Sequence, residues 1–226
     1  MTLITCANPI IEERNMRSWD ILILTLEERQ AQFTKLQEEL ERQIQLLNAS
    51  DFVSVKSFPD AGQNSVGFKR NQLLQTSRAD YVCFIDDDDW VSLDYIRLLF
   101  ESIQQCPDCV SLTGLITTNG EDPKYFIHSI RYDHYFEKHG VYYRPPNHLN
   151  IVKRSIACQF EFPLQNYKED TDWAMQICHS GILKDEVEVK SVIYFYQLVP
   201  DSSATQIPRP PTCWERIKGN IKRLTN

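Results

Sequence analysis

The first half of the chain alternates continuous apolar runs with periodic apolar positions. The run DILILTL at 20–26 is typical of a buried strand, and YVCFI at 81–85 predicts another. Between them, residues 52–58 alternate as a strand before the breaker PDAG at 59–62, and a helical stretch leads through Leu73 and Leu74. After the first strand, apolar residues recur at spacings of three and four, which predicts an amphipathic helix with Phe33, Leu36, Leu40, Ile44 and Leu47 inward. This alternation predicts an α/β fold with a mostly parallel, doubly wound sheet.

The pattern changes after the third strand. A helix is predicted from about Ser92 to Gln105, and its buried side would carry Leu93, Ile96, Leu99, Phe100 and Ile103. Beyond Cys109 come two strand-like runs, VSLTGLITT and KYFIHSI, then aromatic-rich loops, a helix around 169–180 and a last strand, VKSVIYFY. The second half therefore indicates α+β organisation. We predict an N-terminal extension over 1–18, a single domain over 19–207, and a proline-broken, basic tail over 208–226.

Composition and charge narrow the class of protein. The 226 residues fit one domain, and the net charge of -7 argues against a general nucleic-acid or anionic-membrane surface. No apolar run approaches the roughly 18 residues that a membrane helix needs, and Glu12 and Glu13 interrupt the stretch where a secretory leader would stay apolar. We therefore expect no transmembrane segment and a cytoplasmic location. The seven irregularly spaced cysteines fit reduced thiols, and Cys106 and Cys109 lack the second pair of a zinc site.

Polar residues follow each of the three predicted strands. Thr25 and Arg29 follow the first, Asp60 the second, and the run DDDDW at 86–90 the third. Ligands of open α/β sheets bind at the carboxyl ends of the strands, so these groups should share one crevice. Four adjacent carboxylates need a cation, and Mg²⁺ or Mn²⁺ prefers such oxygens together with substrate phosphates. The competing interpretation is a solvated turn that caps the following helix.

Two further groups carry charge. Lys69 and Arg70 lie on the helix that leads to the third strand, where they would hold a diphosphate or form a wet helix face. The acidic run KEDTDWAMQI at 168–177 opens a predicted helix, which the helix dipole alone would favour.

Four segments occur together in a specific order: ILILTLEER at 21–29, PDAG at 59–62, GFKRNQLLQTSRADYVCFIDDDDW at 67–90, and KEDTDWAMQI. Over about residues 19–200 the chain resembles the GT-A-type nucleotide-sugar glycosyltransferases, particularly the large inverting family 2. The stretch NHLNIVKR adds a similarity to small single-domain transferases of viral or microbial polysaccharide synthesis, which would work in the host cytoplasm if viral. The resemblance implies a GT-A fold, with a Rossmann-like nucleotide-binding part over about 19–110 and a smaller α+β acceptor part over about 111–207.

The resemblance also implies a reaction and a set of site residues. A hexosyl or deoxyhexosyl group would move, with inversion, from a UDP-, GDP- or dTDP-linked sugar to a hydroxyl of a glycan or glycolipid. Asp86 and Asp88 match the metal-binding DXD motif, with Mn²⁺ or Mg²⁺ as cofactor and the register among the four acids left open. Nucleotide contacts are implied or expected for Thr25, Arg29, Asp60, Lys69, Arg70, Asp86 and Asp87. The tyrosine that the family usually carries after the first strand is replaced here by Leu26.

The resemblance makes Asp170 the general base that takes the proton of the acceptor hydroxyl. Glu169 and Asp172 compete for that role. His148 and Trp173 are candidates for the acceptor side, with a structural histidine and core packing as the respective alternatives. Two other functions stay open: a haloacid-type phosphohydrolase, whose D-x-D motif belongs on the first strand, and a catalytically inactive nucleotide-binding module.

Overall fold

A computed structural model describes residues 16–198. The first half contains β1 (Trp19–Leu26), a 3-10 turn (Glu27–Arg29), α1 (Gln30–Leu46), β2 (Val53–Asp60), α2 (Val66–Thr76), β3 (Tyr81–Phe84), β4 (Trp90–Val91) and α3 (Tyr95–Ile103). The second half contains β5 (Cys109–Val110), β6 (Leu112–Thr118), β7 (Glu121–His128), β8 (Phe136–Lys138), β9 (Val141–Arg144), β10 (Val152–Lys153), α4 (Arg154–Ala157), α5 (Glu169–Ser180), β11 (Glu186–Val187) and β12 (Val192–Leu198).

The described strands form two sheets. The first has the order β11-β5-β10-β3-β1-β2, and β1 runs parallel to both β2 and β3. The second has the order β4-β12-β6-β7-β9-β8 and mixes parallel with antiparallel pairs. The predicted α/β half followed by α+β structure is therefore confirmed.

The two parts of the chain exchange strands. β10 comes from the second half, yet it pairs antiparallel with β3 and with β5 inside the first sheet. In return, β4 comes from the first half and pairs with β12 at the edge of the second sheet. Each sheet is thus completed by a segment from the other part.

Helices cover both faces of the first sheet, as a doubly wound fold requires. α1 and α3 bury apolar residues against one face of β1, around Trp19 and Ile21, and this cluster continues into β6 and β12. α2 and α5 bury theirs against the other face, around Leu22 and Phe84. The apolar period that predicted α1 is confirmed, since Phe33, Leu36, Leu40 and Ile44 are all buried.

Three local predictions need correction. β2 continues through Pro59, because it is the edge strand of its sheet and the missing N–H of a proline costs no ladder bond there. α3 begins at Tyr95, so Leu93 precedes the helix and its side chain is 68% exposed. Arg17 and Ser18, assigned to the extension, hydrogen-bond to Gln104 and Asp80 of the domain.

Other predictions concern ends, thiols and membrane segments. The rest of the predicted extension, residues 199–207 and the tail lie outside the described residues. Every cysteine in the described range is a free thiol, including Cys106 and Cys109. Over residues 16–198, no helix combines the length and the apolar character that crossing a membrane requires.

Candidate active site

The four acids at 86–89 form a turn directly after β3, at the carboxyl end of the strand. The turn closes with a hydrogen bond from Asp89 N to Asp86 O of 3.1 Å. Asp87 and Asp89 are buried, whereas the Asp86 and Asp88 side chains are 34% and 37% exposed. The turn therefore presents alternate carboxylates outward, in the register that the D-x-D pattern had left open.

Two arginines act as counterions of this acid turn. Arg29, which follows β1, lies 2.9 Å from Asp87 and also pairs with Asp88. Arg70 of α2 lies 3.0 Å from Asp86. Burial would raise the pKa of Asp86, but the charge of Arg70 and the interaction with His148 outweigh burial and hold that pKa well below its usual range.

The inner pair of acids is held differently. Burial raises the pKa of Asp87 to about 6 despite the charge of Arg29, and its Oδ2 atom has no hydrogen-bond partner among residues 16–198. Burial, reinforced by the charges of its neighbours Asp88 and Asp86, raises the pKa of Asp89 well above its ordinary value. The hydroxyl of Tyr194, on β12, donates to Asp89 Oδ2 at 2.6 Å. The second sheet thus helps to hold the turn, a role for Tyr194 that the sequence did not reveal.

Thr25, Asp60 and Lys69 line the neighbouring strand ends. Thr25 is buried, and its hydroxyl donates to Leu26 O at 3.3 Å while lying close enough to Asp87 to help lower the pKa of that carboxyl. Lys69 Nζ donates to Asp60 Oδ1 at 2.8 Å, and both groups are buried. The second oxygen of Asp60 accepts from the backbone N–H of Asn64 at 3.1 Å. Lys69 and Asp60 therefore satisfy each other and close the loop after β2, so the Lys69 ammonium is not held free for a phosphate.

Arg70 links the acid turn to the start of α5. Its Nε donates to Glu169 Oε1 at 3.2 Å while Nη2 reaches Asp86, and its guanidinium lies 5.0 Å from the centre of the Phe84 ring. The remaining nitrogen, Nη1, is buried and has no partner among the described residues. Arg70 is therefore a buried bridge between two acidic segments rather than part of a wet helix face.

The acids at the start of α5 point in different directions. Glu169 is buried against Arg70. Asp172 is exposed and accepts a hydrogen bond from Gln165 at 2.9 Å. The carboxylate of Asp170 lies 3.4 Å from Nδ1 of His148. Of the three acids proposed for one role, Asp170 is the one that lies against His148.

Two hydrogen-bonded pairs fix the segment before α5. Asn71 donates to Phe162 O at 2.8 Å and accepts from Phe162 N at 2.9 Å. One turn earlier, Gly67 N donates to Gln165 O at 3.0 Å. α2 therefore sets the position at which α5 begins, and this coupling was not visible in the sequence.

His148 stands between the acid turn and α5. Its Nε2 lies 3.5 Å from Asp86 Oδ2, opposite the nitrogen that faces Asp170. Its backbone carbonyl accepts from Phe84 N at 2.8 Å, which ties its loop to β3. The imidazole is buried and lies between the two carboxylates that the resemblance assigns to metal binding and to proton transfer, and its Nδ1 makes no hydrogen bond among the described residues.

Trp173 does not reach this crevice. Its indole is 2% exposed, stacks on Phe162 with ring centres 4.7 Å apart, and donates to Phe160 O at 3.2 Å. Both ring faces lie in the core, so the expectation of a sugar platform at Trp173 is wrong and the packing interpretation is right.

The described crevice contains no preformed metal cage. Within residues 16–198, no group of three or more His, Cys, Asp or Glu side chains is arranged to hold a metal ion. Asp86 and Asp88 still supply two partly exposed carboxylates beside an unpartnered buried oxygen of Asp87. Magnesium commonly binds to one or two carboxylates and completes its shell with substrate phosphates and water, so this donor set fits a cation that arrives with a ligand.

Comparisons with solved structures agree with the fold. The chain is similar to S. aureus TarS 1–349 in complex with UDP, with a TM-score of 0.56 and 13% identity, over 81% of this chain and 61% of that one. A longer TarS structure gives a TM-score of 0.52, also at 13% identity, over 81% of this chain and 37% of that one. At this identity the likeness shows the GT-A fold.

Sequence comparisons identify the family. A curated relative, "Glycosyltransferase GlyA" of Streptococcus pneumoniae serotype 4, is 30% identical over 69 residues, which is 30% of this chain and 10% of that protein. The chain thus spans about a tenth of that relative and about three fifths of the TarS fragment. The profile described as glycosyl transferase family 2 matches residues 38–162, more than half of the chain. The protein therefore belongs to glycosyl transferase family 2.

Proposed function

We propose that this protein transfers a sugar, with inversion and with the help of a divalent cation, from a nucleotide-diphosphate sugar to a hydroxyl of a glycan or glycolipid. The observation that carries the proposal is the placement of Asp86 and Asp170 on opposite nitrogens of one imidazole, at 3.5 and 3.4 Å. Asp86 would serve the leaving diphosphate, and Asp170 would serve the attacking hydroxyl. The two halves of a displacement reaction thus have carboxylates on either side of His148.

The metal role falls to Asp86 and Asp88. Their outward register supports this assignment, and Mn²⁺ or Mg²⁺ suits carboxylate oxygens. When bound, the cation would neutralise charge on the diphosphate leaving group. Arg29 and Arg70 already offset part of the negative charge of the turn, so the site is partly neutralised before any ligand binds.

The nucleotide would lie over the ends of β1, β2 and the acid turn. Thr25, Arg29, Asp60 and Asp87 border that surface, as the family resemblance implies. Structures of TarS contain UDP and, in another crystal, UDP-GlcNAc. We therefore take UDP as the first candidate, with GDP and dTDP as alternatives. Lys69 and Arg70 would stabilise this surface indirectly, because their ion pairs hold Asp60 and Asp86 in place.

The proposed proton acceptor is Asp170. As the acceptor oxygen attacks C1 of the sugar, its proton passes to a carboxylate oxygen of Asp170, a C–O bond forms, and the bond from C1 to the diphosphate oxygen breaks with its electron pair on the diphosphate. Glu169 is a weaker candidate because Arg70 occupies its oxygen. Asp172 is weaker because it is exposed and bonded to Gln165. A positioned carboxylate typically contributes 10²- to 10⁴-fold to such a step.

Nucleotide binding is tested by thermal unfolding with UDP, GDP, dTDP, CMP and ATP, each with Mn²⁺ and with chelator. A ligand that binds only the folded state raises its midpoint by mass action. We expect one nucleoside diphosphate to raise the midpoint only with metal, and Asp88→Ala to abolish the shift. The control is Asp51→Ala, at an exposed turn that precedes β2, at the end of the strand away from the acid turn. This variant should keep the midpoint shift. A shift that survives in Asp88→Ala contradicts the metal assignment.

Catalysis is tested by release of the nucleoside diphosphate from UDP-, GDP- and dTDP-linked sugars with glycan acceptors. Asp170→Asn should lower turnover by about 10²-fold or more while the nucleotide-induced shift stays intact. Asp172→Asn, two residues away on the same helical turn, is the matched control and should keep turnover. Nucleotide binding without any turnover in the unaltered protein would favour the inactive-module alternative. Full turnover in Asp170→Asn would remove the proposed base.

A further inference from the structure

An arginine of the second sheet lies near the candidate site and, among residues 16–198, has no carboxylate paired with it. Arg144 is the last residue of β9 and lies opposite His128 of β7. Two residues earlier on β9, Tyr142 lies opposite Phe126. Alternate residues of a strand share a face, and His128 and Phe126 are buried. Tyr142 and Arg144 therefore lie on the inner face of this sheet.

The charge of Arg144 is not neutralised within the described protein. Over residues 16–198 it forms no ion pair within 4 Å, although Arg29, Arg70 and Arg131 each pair with a carboxylate. Its guanidinium instead lies 5.5 Å from the ring centre of Tyr135 and 5.8 Å from that of Tyr142. Cation–π contacts orient the group but leave its N–H donors available, and a half-buried cation of this kind favours an incoming anion.

Arg144 lies near the proposed base. The chain between Arg144 and His148 is only Pro145, Pro146 and Asn147, so both side chains stem from one stiff segment. The guanidinium lies over Tyr135, where burial and, to a smaller extent, the carboxylate of Asp170 raise the pKa of Tyr135 to about 12 against the opposing charge of Arg144. Arg144 therefore lies in the same part of the molecule as His148 and Asp170.

We propose that Arg144 binds an anionic group, a phosphate or a carboxylate, carried by the acceptor. The inference rests on the proposed transferase function and deepens it, because it assigns the acceptor to the class of charged glycans. Tyr135 and Tyr142 flank the guanidinium and hold it in place for such a group. The donor diphosphate would meet different cations, Arg29 and Arg70, which already pair with the acid turn.

The test measures binding of glucose 6-phosphate, glucuronate and glucose by ligand-observed NMR. The protein is first saturated with diamagnetic Mg²⁺ and whichever nucleoside diphosphate raises its midpoint, so that the donor phosphate subsite is occupied. We expect the two anionic sugars to bind more tightly than glucose. Arg144→Gln should weaken them by about tenfold or more, which is the usual scale for a charge-assisted hydrogen bond, and Arg144→Lys should weaken them less.

The control is Arg131→Gln. Arg131 also lies over a tyrosine ring, 5.9 Å from the centre of Tyr132, but it is exposed and paired with Glu188 at 2.9 Å. It should leave binding of the anionic sugars unchanged. Unchanged binding in Arg144→Gln, or equal binding of glucose and glucose 6-phosphate to the unaltered protein, overturns the inference. If Arg144→Gln loses the nucleotide-induced rise in unfolding midpoint, Arg144 contacts the donor rather than the acceptor, and the inference is also overturned. Failure of the whole nucleotide panel instead counts against the transferase proposal.

Discussion

Replacing Gly67 by alanine sets two physical effects of opposite sign against each other. Gly67 lies in the first turn of α2, where alanine has the higher helix propensity and would stabilise the protein by at most about 1 kcal/mol. A methyl group at this position, however, would lie 1.8 Å from Pro163 O and 2.8 Å from Pro163 C. Both are backbone atoms, so no side-chain rotation relieves the overlap.

The size of the clash follows from these distances. Real Cβ contacts essentially never fall below 3.0 Å, so Pro163 O must retreat by more than 1 Å. Overpacking of this kind costs about 1–3 kcal/mol, and the bond from Gly67 N to Gln165 O contributes about 1 kcal/mol more. After the gain in propensity is subtracted, we expect a net destabilisation of about 2 kcal/mol.

The assay is urea unfolding followed by circular dichroism, with Gln75→Ala as control. Gln75 is an exposed residue of the same helix, where alanine meets no backbone, and its free energy of unfolding should change by less than about 0.5 kcal/mol. Because the displaced segment leads into Asp170, Gly67→Ala should also lower turnover, on the scale of about 10²-fold for a shift of about 1 Å. If Gly67→Ala equals or exceeds the unaltered protein in stability, the close approach of α2 to this segment is not present in solution.

Three further outcomes follow from buried groups. Tyr194→Phe removes the hydrogen-bond donor to Asp89 and should lower the free energy of unfolding in urea by about 1–3 kcal/mol. It should also reduce the Mn²⁺-dependent rise in unfolding midpoint that the nucleotide causes. An unchanged free energy of unfolding would mean that this hydrogen bond does not stabilise the protein. Arg70→Lys keeps the charge but cannot hold Asp86 and Glu169 together, so turnover should fall more than the nucleotide-induced midpoint shift does, and equal losses would argue against a bridging role. Burial, with a smaller contribution from the charge of Arg144, lowers the pKa of His128 to about 3, whereas its value in the unfolded chain is about 6.5. Because the unfolded chain binds the proton at higher pH than the folded protein does, the free energy of unfolding falls as the pH drops below about 6.5. From about pH 7.5 to about pH 5, His128 should lower the free energy of unfolding by about 2 kcal/mol, and His128→Gln should lack this decrease. Parallel plots of unfolding free energy against pH for the variant and the unaltered protein would contradict the assignment.

The sequence predicted those elements whose pattern is local. The apolar run of β1 and the apolar period of α1 were enough to predict these two elements, because each buries one continuous set of apolar side chains. Leu93 was misassigned because its spacing fits the period of α3 although it precedes the first helical turn. β4, which has two residues, could not be predicted, since its partners Tyr194 and Phe195 lie about a hundred positions further along the chain.

The candidate site divides along the same line. The strand-to-turn position of the four acids was readable from sequence, and the structure confirms it. Which acids face outward depends on Tyr194 and on two arginines that approach from other elements. The bridge from Arg70 to Glu169 spans 99 positions, and no local period encodes such a contact. The burial of Trp173 likewise depends on Phe162, which a helix pattern does not specify.

The exchange of strands between the two sheets has a consequence for how the chain folds. β3 gains its second neighbour only when Val152 and Lys153 are available, and β5 joins the sheet through that same β10 segment. During synthesis, the strands of residues 19–84 would therefore wait with an open edge until the chain has grown by almost seventy residues. Such distant pairings slow folding and expose edges to aggregation. A fragment that stops near residue 110 would lack β10 and should not fold as an independent nucleotide-binding unit. We therefore expect the two parts of this chain to unfold in one cooperative transition.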